Sequence, residues 1–317
     1  MAGLKRTVHL TVSDKETGAV LLADGLLRID FTVETTLGGG VDVAKFEVYN
    51  LADKTIRMLS SPTSKAVTLK VSSPYSKTLS VLFEGELINI HHAISFQDSI
   101  TSIWCWKKGQ AEGKKPIQSL SIEGNPTVKN VVDALVAGIV DKQGNTIYKA
   151  IWTAVPEPTQ ETPVRSMSFN KTYFEAINQV LKEVGLSYTI ADGYINICPI
   201  PSKEGDINTI QPSAITHSII PIFLKKPIEL GVAEVTIHYS LSGHILPTHI
   251  VHLVPNPKLQ TSLAGYDQDA LSLVSNFTAI LPSDYYFVSN VIHRGSAYTN
   301  DWDTVIQGFY YAGGRSR

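Results

Sequence analysis

Three groups of residues have the types and spacing to do chemistry. The first is histidine: His244, His249 and His252 lie close in sequence, and His91 and His92 are adjacent. A zinc site needs three or four ligands converging on one point. His249 and His252 are three apart, on opposite faces of a strand, and Pro247 breaks any helix that would align them. These histidines therefore read as surface or satisfied core residues, and no metal or cofactor is implied. The second group is paired carboxylates. Asp301 and Asp303 flank Trp302, and Glu84 and Glu86 flank Gly85. Carboxylates at i and i+2 share one face of a strand, an arrangement a glycosidase uses and a solvated strand face also shows. Beyond scattered tyrosines no aromatic platform for a sugar is visible. The third is cysteine. Cys105 sits between Trp104 and Trp106, and Cys198 ends an apolar strand. Both read as buried thiols, because a disulfide framework needs more cysteines in a smaller chain. There is no Gly-x-Ser-x-Gly and no Walker loop. Gly38, Gly39 and Gly40 precede a strand rather than a helix, so they read as a flexible turn and not a phosphate cradle. No catalytic constellation assembles, and the chain is expected not to be an enzyme.

Composition agrees. The 317 residues are 43% hydrophobic and 18% charged, with a formal net charge of −2. That length allows two or more domains with real cores, and the charge gives no support to a nucleic-acid-binding surface. Lys107, Lys108, Lys114 and Lys115 flank a loop and read as solvated surface. The first residues lack the apolar run of a signal peptide, and no segment reaches the ~18 apolar residues of a membrane span. The expectation is a soluble protein made and folded in a cytoplasm.

The elements that must position these residues are mostly strands. The stretch Phe46-Glu47-Val48-Tyr49-Asn50-Leu51 alternates apolar and polar residues, then changes to helical spacing at Ile56 and Leu59. It reads as a strand handed to a short helix, with Asn50 or Asp53 at the helix N-terminus. Strands are expected at 7–12, 26–33, 67–71, 79–83, 86–92 and 100–106, a spacing that favours a closed or partly closed antiparallel barrel. Gly85 reads as a bulge or sharp bend. Residues 128–136 form an amphipathic helix with Thr127 as N-cap, and a second helix begins at 170–172 and ends at Gly185. Asp192-Gly193 is a hairpin turn between strands 186–190 and 194–197. Strands follow at 232–239, 250–254, 286–293 and 302–311, with a helix at 267–277. The expected division is a β-barrel domain at 1–106, a small helix-containing domain and linker at 107–163, a helix–hairpin domain at 164–212, and a second β-barrel domain at 213–317. The fold class is α+β, mainly β: two antiparallel barrel-like domains flanking small α/β domains.

Three stretches in this order resemble phage tail baseplate hub proteins, those of contractile or long-tailed phages and related injection systems. They are Phe46, Val48, Asn50 and Leu51; the Asp192-Gly193 helix–hairpin unit; and His293-Arg294-Gly295 leading to Trp302-Asp303-Thr304. The resemblance implies a homotrimer whose six barrels form a ring between a sixfold tail tube protein and a threefold spike or cell-puncturing protein, among other baseplate proteins. DNA would pass through its channel without sequence-specific binding. The protein would be assembled in the host cytoplasm and located in the virion tail. Phe46 and Val48 would be structural, and Glu47 and Tyr49 would face the channel or a neighbouring subunit. The rival readings are a tail-tip cell-wall hydrolase using acidic residues, and a receptor-binding or glycan-binding tail domain.

Overall fold

The computed structural model describes residues 6–40, 42–72, 79–95, 97–117, 120, 122, 124–153, 155–164, 169–191, 193–200, 216–219, 229–230, 234–253, 285–296, 298–299 and 302–310. The helix expected at 267–277, Asp192 and Asp301 lie outside them.

Alternation of apolar and polar residues builds a β-rich first half. Its strands are β1 (Thr7–Asp14), β2 (Val20–Asp24), β3 (Ile29–Thr36), β4 (Val43–Tyr49), β5 (Lys65–Ser72), β6 (Leu79–Ser95) and β7 (Asp98–Lys107). In β3 and β4 every second residue is buried, the period-two signature of a sheet with one covered face. The inward set includes Leu10, Ile29, Phe31, Phe46, Val48, Leu69 and Ile103 in one core. Helix α1 (Asp53–Leu59) adds Leu59 to it. β6 changes partner along its length, pairing with β5 from Leu79 to Glu86 and with β7 from Gly85 to Ser95. Gly85 itself is in regular register; the extra residues are Leu82 and Ile88 on either side of it. Its missing side chain has a different use, because a Cβ there would lie 2.1 Å from the Trp106 carbonyl oxygen.

The expected pair of closed barrels is not found among the described residues. The strand path is β12-β13-β16-β15-β3-β4-β7-β6-β5-β1-β2, a single sheet running through both halves of the chain. Here β12 is Glu229–Leu230, β13 Glu234–Ser240, β15 Tyr285–Ser296 and β16 Trp302–Tyr310. β11 (Thr216–Ile219) pairs with β14 (Ile250–Leu253), which joins β15. Closing the first half into a barrel would require β2 to pair with β3. That edge of β3 is taken by β15 instead, in register from Asn290↔Thr36 to Ser296↔Asp30.

A second body lies between β7 and residue 200. Helices α2 (Gln110–Gly113), α3 (Val128–Ala137), α4 (Glu157–Gln160) and α5 (Tyr173–Glu183) accompany a small sheet, β8 (Lys149–Trp152), β10 (Tyr194–Pro199) and β9 (Leu186–Ala191). α3 and α5 each begin on a reciprocal capping box, Thr127 with Asn130 and Thr172 with Glu175, which satisfies two otherwise orphaned donors. Gly185, at φ +71°, follows the end of α5. The small segments expected at 107–163 and 164–212 contribute to one core, where Val131, Val132 and Leu135 of α3 meet Ile177, Val180 and Leu181 of α5.

Candidate functional surface and the seam that supports it

The residues singled out from sequence fall into three places. Phe46 and Val48 are fully buried, and Leu51 nearly so. Asn50 is not a helix cap: α1 follows Ala52, which makes no side-chain cap bond. Asn50 ends β4 at φ +57°, in the left-handed region asparagine tolerates better than most residues. Its amide side chain donates to Asp98 Oδ1 and accepts from the Ser99 amide, each at 3.0 Å. Asparagine thus terminates the strand and ties it to the β6–β7 turn.

The second place is the β3–β15–β16 seam. Gly295 pairs with Phe31 on one side and Trp302 on the other. The two rings close over it edge-to-face, with centroids 5.8 Å apart. A Cβ on Gly295 would lie 2.6 Å from Phe31 Cζ and 2.8 Å from Trp302 Cε3, so only glycine fits. Through this contact Trp302, late in the chain, belongs to the core of the first half. Two residues along, His293 pairs with Thr304 and Val33 on the same covered face. His293 Nδ1 and Thr304 Oγ1 are hydrogen-bonded at 2.9 Å, both residues being buried. Burial, with a smaller effect of the Lys107 charge, lowers the imidazole to about 4, so it is neutral at pH 7. His293, Gly295, Trp302 and Thr304 form one structural lock between the two ends of the chain.

The third place is the opposite, polar face of the same sheet. Glu47 and Tyr49 both lie on it, half-buried. Glu47 is ion-paired with Lys45, whose ammonium lies 5.2 Å from the Trp104 ring centroid. The Arg28 guanidinium sits 4.2 Å over the Tyr49 ring and 2.9 Å from Asp30 Oδ2. Burial pushes the Asp30 carboxyl up, but hydrogen bonds from Arg28 and Ser296 and the Arg28 charge outweigh it, and the net shift is downward. Burial and the Asp30 charge raise the Tyr49 phenol. Further along, Asp303 accepts from His238 at 2.9 Å and Arg294 at 3.2 Å. The charges of this face are thus largely matched within the sheet.

The chemical alternatives fare differently. Asp303 is engaged by two partners, His238 and Arg294, rather than standing unpaired. Glu86 is ion-paired with Lys15, leaving Glu84 exposed beside it. No group of three His, Cys, Asp or Glu residues that could hold a metal occurs among the described residues. Burial raises both cysteine thiols, Cys198 to about 12, which makes them inert. No helix among the described residues is long and apolar enough to cross a membrane.

No protein-family model matches the sequence, and no curated protein matches it by sequence. Solved structures do match by shape. A tail protein from Neisseria meningitidis superposes with a TM-score of 0.54 over 97% of this chain and 98% of its own, at 11% identity. The fold is that of tail proteins. A 43 kDa prophage tail protein from Shewanella oneidensis gives 0.54 over 96% and 97%, at 8% identity. An Escherichia coli component of the type VI secretion system, described as structurally similar to phage T4 tail proteins gp27 and gp5, gives 0.55 over 96% and 78%, at 9% identity. The tail-protein fold therefore spans nearly the whole chain.

Sequence reasoning missed the residues that hold these places together. Arg28 over Tyr49, Lys45 against Trp104, and His238 and Arg294 with Asp303 act across strands, while the ion pairs Arg28–Asp30 and Lys45–Glu47 join residues only two apart in sequence. The glycine triplet also reads differently in three dimensions. Gly38 and Gly39 have φ +82° and +63°, and a Cβ on Gly39 would lie 1.9 Å from the Tyr188 hydroxyl. The turn expected there is present between β3 and β4, and it is also a close approach between the two bodies.

Proposed function

We propose that this chain is a structural baseplate hub subunit of a phage tail or related injection system, and not an enzyme. Three copies form a pseudo-sixfold ring that adapts a sixfold tail tube to a threefold spike, with other baseplate proteins around it and a central channel for DNA. It is assembled in the host cytoplasm and resides in the virion tail. The observation that carries this reading is the match of one fold over almost the full length of tail proteins. The lock at Gly295 supports it, because a ring builder must hold both ends of its chain in one rigid sheet. Glu47 and Tyr49 lie on the polar face that meets the channel or a neighbouring subunit. Charges already matched within that face would leave few free cations to retain passing phosphates.

The test is the mass of the purified protein, alone and with a candidate spike protein, measured by light scattering. A particle of three chains in either condition is expected. A chain that stays monomeric in both would overturn the proposal. Muralytic activity abolished by Asp303→Asn would instead favour a hydrolase.

A further inference from the structure

The contact between the main sheet and the α/β body contains a buried acid that the hub reading does not use. Asp42, between β3 and β4, is 2% exposed. Its Oδ1 accepts from the Thr36 amide at 2.9 Å, and its Oδ2 is 3.7 Å from Lys107 Nζ, beyond hydrogen-bond distance. That ammonium donates instead to the Ile190 carbonyl of β9, at 2.6 Å. The Gly38 amide donates to the Tyr188 carbonyl of the same strand, also at 2.6 Å. These two donors, both from the main sheet, reach the edge of β9 away from its partner β10. Around them acceptors outnumber donors. Gln110 is wholly buried and donates to the Gly40 carbonyl, but its acceptor Oε1 has no partner, and neither does Glu112 Oε2, among the described residues. A buried cluster short of donors is one a proton would complete.

We propose that the joint between the main sheet and the α/β body is proton-linked: a proton on Asp42 tightens the docking of β9, and its release loosens it. The charged and titratable groups that act on or feel Asp42 are Lys107 on β7, Glu34 on β3, Lys114 after α2, and Tyr148 and Tyr188 from the α/β body, with Glu112 on α2 and Glu86 on β6 acting on Tyr148. Burial raises the Asp42 carboxyl to about 6, and Lys107 limits the rise. The sign follows. An acid whose value is higher in the docked state than in water favours docking below its ordinary value and loses that contribution as pH rises through about 6. Between pH 5 and pH 7.5 the docking equilibrium should weaken roughly tenfold. The inference does not depend on the hub reading, since it concerns the chain's own joint.

The readout must be local, because His293 titrates over a similar span with the opposite sign. The measurement is the protection factor of the Gly38 amide in the full-length protein, from hydrogen exchange corrected for its intrinsic pH dependence. In the wild type it should fall about tenfold from pH 5 to pH 7.5. Asp42→Asn should show no such fall, and Lys107→Met should move the midpoint above that of the wild type. A flat wild-type profile, or one unchanged by Asp42→Asn, overturns the proposal. Should Asp42→Asn fail to fold, Lys107→Met decides: an unmoved midpoint overturns it.

Discussion

Replacing Gly295 with alanine places one methyl group where the seam has no room. Its carbon would meet Phe31 Cζ at 2.6 Å, and Phe31 Cε1 and Trp302 Cε3 at 2.8 Å. Phe31 is 3% exposed and Trp302 8%, so neither ring can swing into solvent without uncovering core. Forcing a methyl into a filled site costs about 1–3 kcal/mol. Separating the edge-to-face pair costs a further ~0.5–1.5 kcal/mol. Gly295→Ala should therefore destabilise the protein by about 2–4 kcal/mol, read from urea unfolding with the midpoint and slope fitted together. The near-ultraviolet circular dichroism of Trp302 should change with it. Adding Phe31→Leu shortens the obstructing ring, so the double variant should cost at least ~1 kcal/mol less than the sum of the singles. A Gly295→Ala protein within about 0.5 kcal/mol of wild type, or strict additivity in the double variant, would refute the packing argument.

Other consequences follow from the same geometry. Asn50→Ala loses the bonds to Asp98 and Ser99 and keeps a left-handed backbone without asparagine's tolerance for it, so a loss of about 2 kcal/mol is expected in urea unfolding. Asn50→Gly, free of the strain, should lose less. Gly39→Ala drives a carbon into the Tyr188 hydroxyl, and should cost ~3 kcal/mol or raise exchange at the Gly38 amide. His293 is held neutral by burial, so its contribution is present above pH 6.5 and is lost as pH falls toward 4. The stability gap between wild type and His293→Gln should therefore narrow by about 2 kcal/mol between pH 7 and pH 5. Substituting Glu47 or Tyr49 should lower the fraction assembled while changing the unfolding midpoint by less than ~1 kcal/mol; unchanged assembly would remove them from the interface.

What the sequence disclosed was local, and what it concealed was long-range. Alternation around Phe46 and Val48 identified a core strand correctly, because the side-chain period of a strand is written in consecutive residues. Thr127 and Gly185 marked helix ends because a cap needs a particular residue at a particular place, whereas the start of the second helix was narrowed only to 170–172, where Thr172 proves to be the cap. The short strand β2 escaped notice, since Val20–Asp24 has a run of apolar residues and no clear alternation. The partnership of β3 with β15 joins residues more than 250 positions apart, and nothing in either strand names the other. Without it, two separate barrels were the natural expectation. The motif around Gly295 was recognised from sequence by likeness, but its reason, a ring-over-glycine contact to Phe31, appears only when the strands are paired. Asp42 was passed over for the same reason: its chemistry depends on Lys107 and on the edge of β9.

In the proposed role three copies of this fold build a ring. Electron microscopy of the purified protein, alone and with the spike protein, tests it most directly. Threefold particles with a central hole whose inner outline is close to sixfold are expected. Particles without a hole, or single chains under both conditions, would contradict it.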